Sequence, residues 1–207
     1  MRVLKNGWRY MKTIFFDKLK SYLTVLALGV LAGLLVVLFC ELPDNELWAF
    51  YDWSASTYGF WAFSTSLIVL CSEKRKSAAI NAGIYIFVMF FITTLYKSFR
   101  MYWDGNTPFH SLIEVSVNSL YGWVLYSILP AAVCAALALV LWSGRNNTTF
   151  GKFLRIAPAV FIFLETALLF YSVFAVHTKL FSAATNLICL ILYLIFYRAS
   201  LKIENAG

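Results

Sequence analysis

The sequence predicts an all-α, polytopic membrane bundle: six transmembrane helices with both ends in the cytoplasm, preceded by an interfacial amphipathic helix. Three observations predict it. Apolar residues make up 61% of the 207 and charged residues only 13%, where a soluble domain has about 45–50% and about 25%. The apolar residues gather in six runs of bilayer length. Lys and Arg gather in alternate segments between those runs.

Residues 1–20 form a basic leader. As a helix they place Leu4, Trp8, Met11, Phe15 and Leu19 on one face and Arg2, Lys5, Arg9 and Lys12 on another, the pattern of a helix lying in the membrane interface. A helix docking a cytoplasmic partner has the same pattern. Residues 21–198 form the six-helix domain and residues 199–207 a cytoplasmic tail. The first span covers residues 23–40. A cleaved signal peptide also begins with basic and then apolar residues, but more spans follow and no A-x-A-like site is present. Cys40 after an apolar run resembles a lipoprotein site, yet Leu38 and Phe39 are not the small residues such a site needs. Gly29 and Gly33 form a G-x-x-x-G, a helix-packing motif that lets another helix approach closely.

Five further runs lie near residues 55–71, 78–96, 119–142, 156–176 and 179–197. Each is long enough to cross about 30 Å of hydrocarbon at about 1.5 Å per residue. None alternates in polarity as barrel strands do. The fourth helix can begin as early as Ser111, with Pro130 as a kink. Pro158 falls in the first turn of the fifth, where proline is tolerated. Fourteen Lys and Arg residues lie in the segments on the same side as the amino terminus and three in the others, which makes both ends cytoplasmic in a cell membrane. The net charge of +7 is therefore read as contact with anionic lipid and not with nucleic acid. The sequons around Asn146 and Asn147 fall on the cytoplasmic side. Cys40, Cys71, Cys134 and Cys189 have no ligand spacing and read as small packing residues.

Glu165 is the one charge deep inside a span. A carboxylate at mid-bilayer costs a few kcal/mol, so it must be protonated, paired or facing a wet cavity. It reads as a ligand-binding or proton-binding group, or as an acid bonded to a neighbouring helix. Depth along the helices offers company. Ser64, Thr65 and Ser66 lie roughly 14–17 Å below the outer boundary, Tyr126 and Ser127 roughly 11–12 Å, Asn186 roughly 11 Å and Glu165 roughly 17 Å. Glu165, Ser64, Thr65, Ser66, Tyr126 and Asn186 are thus candidate lining residues of one polar pocket. Alternatively, each bonds its own backbone.

The outer segments combine acids with aromatics. The first carries four acids, no base, and Trp48 and Trp53 among its rings. The second carries Arg100, Trp103, Asp104, His110 and Glu114, and Trp61 lies at the top of the second span. Trp48, Trp53, Trp61 and Trp103 either stack on a flat or cationic solute or form an interfacial belt. His110 and His177 fall near the outer surface without metal-ligand spacing. No metalloprotease, nucleophile-elbow or phosphate-loop signature occurs, and no cofactor or metal is expected. An intramembrane enzyme would need a second acid or base beside Glu165, and the sequence offers none.

Six spans in about 200 residues, cytoplasmic ends and the Gly29/Gly33 motif in the first helix together resemble the substrate-binding subunits of energy-coupling-factor vitamin transporters. In that family an Ala-x-x-x-Ala on the first helix contacts a shared transmembrane partner, and outer loops and helix ends bind the vitamin. The resemblance implies a small-molecule solute and a transmembrane partner. Uncharacterised bacterial six-span families share the outline. Two functions are expected: binding or transport of a small solute through an outward-facing pocket, or a non-catalytic scaffold. The scaffold would hold a cytoplasmic partner with the leader and the loops at 72–77 and 143–155.

Overall fold

A computed structural model describes residues 18–41, 57–106, 108, 110–146 and 148–204. Residues 1–17 of the expected leader (1–20), most of the first outer segment with Trp48 and Trp53, and the last residues of the tail lie outside the described residues, and residues 18–20 belong to the first helix. The chain forms α1 (Lys18–Cys40), α2 (Tyr58–Cys71), α3 (Arg75–Trp103), α4 (Leu112–Leu141), a 3₁₀ turn (Trp142–Arg145), α5 (Thr149–Val176) and α6 (Leu180–Glu204). No strand occurs among the described residues.

Five of these helices, all but α2, are long and apolar enough to cross a bilayer, so this is a multi-pass integral membrane protein. The expected second span differs. Its helix has 14 residues, a rise of roughly 21 Å, which falls short of about 30 Å of hydrocarbon. The described bundle is therefore five spanning helices plus one shorter apolar helix. Its large apolar side chains point outward as well as inward. Phe174 is 76% exposed and Tyr121 75%, which a soluble protein avoids and lipid permits.

Local sequence sets the helix ends. Ser111 accepts the Glu114 N–H, and the Glu114 carboxylate accepts the His110 N–H at 3.0 Å. This reciprocal cap starts α4 at the early position that the sequence allowed. α5 begins at Thr149, seven residues before the expected start, because the Thr148 hydroxyl accepts the Gly151 N–H. Pro158 is accordingly inside α5 and not in its first turn. It removes the helix bond to the Leu154 carbonyl, as Pro130 removes the one to Tyr126. The α5–α6 turn passes through left-handed backbone at His177 and Lys179.

Helix α3 is the centre of the bundle, packed on α1, α2 and α4. Its Ile86 and Met89 join Val25 and Ala32 of α1, Ile68 of α2 and Ala131 of α4 in one apolar cluster. The two motif glycines of α1 face α3. A Cβ on Gly29 would lie 3.0 Å from the Tyr85 carbonyl oxygen, and one on Gly33 3.0 Å from the Ile92 Cβ. The register rises in both helices together, so α1 and α3 run parallel. An ion pair of Glu41 with Arg100 joins their far ends, and Arg100 also bonds Asp104 at 2.9 Å.

At the other end of the bundle, basic side chains close helix C-termini. Arg145 donates to the carbonyls of Ser72 and Glu73, where α2 ends, and the Trp142 indole also donates to Ser72 O. Arg75 donates to Leu139 O at 2.8 Å near the end of α4. Arg155 donates to Gly144 O, and the Tyr193 hydroxyl of α6 donates to Arg155 O. Cations at carbonyl-rich helix ends are favourable. These contacts gather the end of α2, the starts of α3 and α5 and the second half of α6 at one end of the bundle. The parallel pairing of α1 with α3 brings the start of α1 to that same end.

Candidate functional site

The start of α2 meets the middle of α5 and the first third of α6 in one polar cluster. The Thr57 hydroxyl accepts the Phe60 N–H at 3.3 Å, which makes Thr57 the N-cap of α2. The next donor, the Tyr58 N–H, points at Glu165 of α5, whose Oε1 accepts it at 2.8 Å. The other carboxylate oxygen, Oε2, accepts from the Asn186 amide of α6 at 2.7 Å. Helix N-termini present unpaired N–H groups and a positive dipole end, so a carboxylate is the natural occupant there. The acid required a partner by its depth alone. The Tyr58 N–H and the Asn186 amide supply it from two different helices.

Gly59 makes the meeting possible. A Cβ at that position would lie 2.6–2.7 Å from the amide atoms of Asn186. The Asn186 side chain thus lies flat on the α2 backbone, wholly buried, with its Oδ1 without a hydrogen-bond partner.

Beside this cluster lies a cavity of about 620 Å³ between α2, α4 and α5, a size usual for small-molecule sites. It exists because α4 and α5 barely touch one another, leaving α2 as the floor of the gap between them. Tyr58, Trp61, Thr65 and Ser66 line it from α2, Pro130 and Cys134 from α4, and Leu154, Pro158 and Phe161 from α5. Pro130 and Pro158, each breaking one helix bond, both face the same space. Leu129, Val133 and Leu137 on its α4 wall are more than half exposed, so the cavity opens sideways toward lipid. No Asp, Glu, Lys or Arg lines it. Glu165 shapes it indirectly, by holding the backbone of Tyr58.

The expected pocket residues therefore divide. Glu165 and Asn186 come together with the start of α2. Trp61, Thr65 and Ser66 line the adjoining cavity, with the Trp61 ring edge-on to Tyr58 at 5.1 Å and to Phe90 at 4.5 Å. Ser64 turns back to its own helix and donates to Phe60 O at 2.7 Å. Tyr126 does not join the cluster: it is 63% exposed on the outside of α4. Its neighbour Ser127 is the buried one and donates to Trp123 O. Depth gave the level of Tyr126 but not its bearing, and one residue turns a helix by about 100°. Trp103 is 67% exposed beside the Phe99 ring, away from the cavity. Trp48 and Trp53 lie outside the described residues. Sequence reasoning missed Thr57 and Gly59, and it read Pro130 and Pro158 only as helix features and not as cavity walls. A threonine directly before an apolar run is a readable cap signal. Among the described residues, no group of three or more metal-ligating side chains occurs. Comparison with protein-family models, curated proteins and solved structures finds no match for this chain.

Proposed function

We propose that this membrane protein binds a small, predominantly apolar solute in the cavity between α2, α4 and α5, as a binding or transport protein. The observation that carries the reading is the cavity itself: 620 Å³, apolar walls and a few polar groups, all on one floor helix. That is the composition of a ligand pocket. A cationic solute fits less well than the outer acids suggested, since no carboxylate lines the space. The cluster of Glu165, Asn186 and the Tyr58 N–H serves as the fixed support of the floor. The same reading places the Arg145 end of the bundle in the cytoplasm, because the excess of Lys and Arg collects there. A transmembrane partner, which the resemblance to vitamin-transporter subunits implies, would dock elsewhere than on Gly29 and Gly33, which pack against α3.

The test is binding of 1-aminoanthracene, a fluorophore of apolar pockets, to the purified protein in mild detergent. Saturable binding that Ala157→Trp abolishes and Val160→Trp leaves intact is the expected result. Ala157 lines the cavity, whereas Val160 is half-exposed on α5 and does not. Absence of saturable binding, or equal effects of the two substitutions, would overturn the reading.

A further inference from the structure

Asn186 of α6 uses only one end of its amide. Its Nδ2 donates to Glu165 Oε2 at 2.7 Å, while its Oδ1, in the same wholly buried side chain, accepts nothing. A buried acceptor without a donor is unfavourable. The two ends of an amide have nearly the same shape and opposite hydrogen-bonding sense, and a half-turn about the last side-chain bond exchanges them.

The packing permits that half-turn. A Cβ built on Gly59 would lie 2.6 Å from Nδ2, 2.7 Å from Cγ and 2.7 Å from Oδ1. Near-equal distances to all three atoms place the amide face-on to Gly59. Its two ends therefore meet the α2 backbone alike, and exchanging them leaves that contact as it is.

Two charge states of the carboxyl then fit the same three helices. Ionised, it accepts from the Tyr58 N–H and from Asn186 Nδ2. Protonated on Oε2, it needs an acceptor there instead, and the turned amide presents Oδ1. The Tyr58 N–H stays on Oε1, now the carbonyl oxygen of the acid. Glu165 thus keeps one hydrogen bond to α2 and one to α6 in either state. Proton uptake forms one O–H bond, with the proton supplied by water, and costs no link between helices. A charge inside a membrane is costly, and donors at a helix start offset that cost, so the surroundings serve both forms.

We infer that Glu165 is a reversible proton-binding site inside the bundle, with the Asn186 amide turning over as the proton enters and leaves. The titratable groups around it are Tyr58 of α2 and Cys189 of α6, which lies within reach of its charge. Tyr85 of α3 lies beyond Cys189, with its hydroxyl bonded to Ser64. Because α2 begins at Tyr58, it covers the carboxyl from the basic end of the bundle only, and Glu165 is half-buried. The site adjoins the cavity but does not depend on what the cavity binds.

Infrared titration of the full chain in lipid vesicles, over roughly pH 4 to 9, tests it. Acidification should produce a protonated-carboxyl band that Glu165→Gln lacks. Gln at that position offers an acceptor to Tyr58 and a donor to the turned amide, so this variant stays folded. In protein carrying 13C in its asparagine side chains, one asparagine carbonyl band should fall in frequency with the same midpoint, because Oδ1 gains a hydrogen bond only in the neutral state. That shift should also be lost in Glu165→Gln. Identical titrations of the unaltered protein and Glu165→Gln would overturn the proton site. A Glu165 band without the accompanying asparagine shift would overturn the turning amide.

Discussion

Glu165 Oε1 accepts the backbone N–H of Tyr58 at 2.8 Å across 107 residues of sequence. A side chain of α5 thereby holds the first turn of α2 in place. Because Asn186 holds the other carboxylate oxygen, three helices converge on one acid. Glu165→Gln retains an acceptor for Tyr58 but loses the charge, and should cost about 1–2 kcal/mol; Glu165→Leu strands both donors and should cost about 3 kcal/mol or more. SDS-driven unfolding in mixed micelles measures both. These two hydrogen bonds give the carboxylate a folding role whatever it contributes to binding.

Gly59 should tolerate no side chain. Its added Cβ would fall inside the contact distance of the Asn186 amide, so Gly59→Ala should destabilise by about 1–3 kcal/mol, as overpacking does. Gly83→Ala is the control. There the nearest atom is the Ala135 Cβ at 3.6 Å, an ordinary contact, and the unfolding midpoint should stay or rise slightly.

The α1–α3 pair is equally specific. Gly33→Leu would push against Ile92 and the Met89 carbonyl, and should cost about 2 kcal/mol or more by separating two close helices. Leu34→Ala, at a half-exposed position on the lipid side of α1, should change the same midpoint by much less.

Arg145 serves two carbonyls at the end of α2. Arg145→Ala should cost about 1–3 kcal/mol, and Arg145→Lys should recover only part, since a single ammonium does not reproduce the guanidinium fork. If both variants unfold with the unaltered protein, the capping role is wrong.

The proposed orientation, with the basic end in the cytoplasm, is tested by labelling. In a cysteine-free background, Lys74→Cys and Lys152→Cys should resist a membrane-impermeant maleimide in intact cells, and Asp104→Cys should react. The opposite labelling pattern would invert the topology.

Much of the architecture was legible because each long helix carries an apolar run that nothing but lipid or a core can accept. The depth of Glu165 along its helix likewise demands partners for the carboxylate. The rest failed for identifiable reasons. The first two turns of α5 contain Gly151, Lys152 and Arg155, and composition reads them as loop. They are helical because Thr148 caps them and because Arg155 folds back onto Gly144 O. Tyr126 was misplaced because depth carries no rotational information. The cavity was invisible because it arises from α4 and α5 standing apart, a property of packing that no single run contains.

The most direct test of the central claim, that Glu165 and Asn186 together fasten α2 to α5 and α6, is a double-mutant cycle of Glu165→Leu and Asn186→Leu in mixed-micelle unfolding. The account predicts a coupling energy of about 1–3 kcal/mol, the range for groups sharing one network. Additive losses, with coupling below about 0.3 kcal/mol as for independent sites, would contradict it.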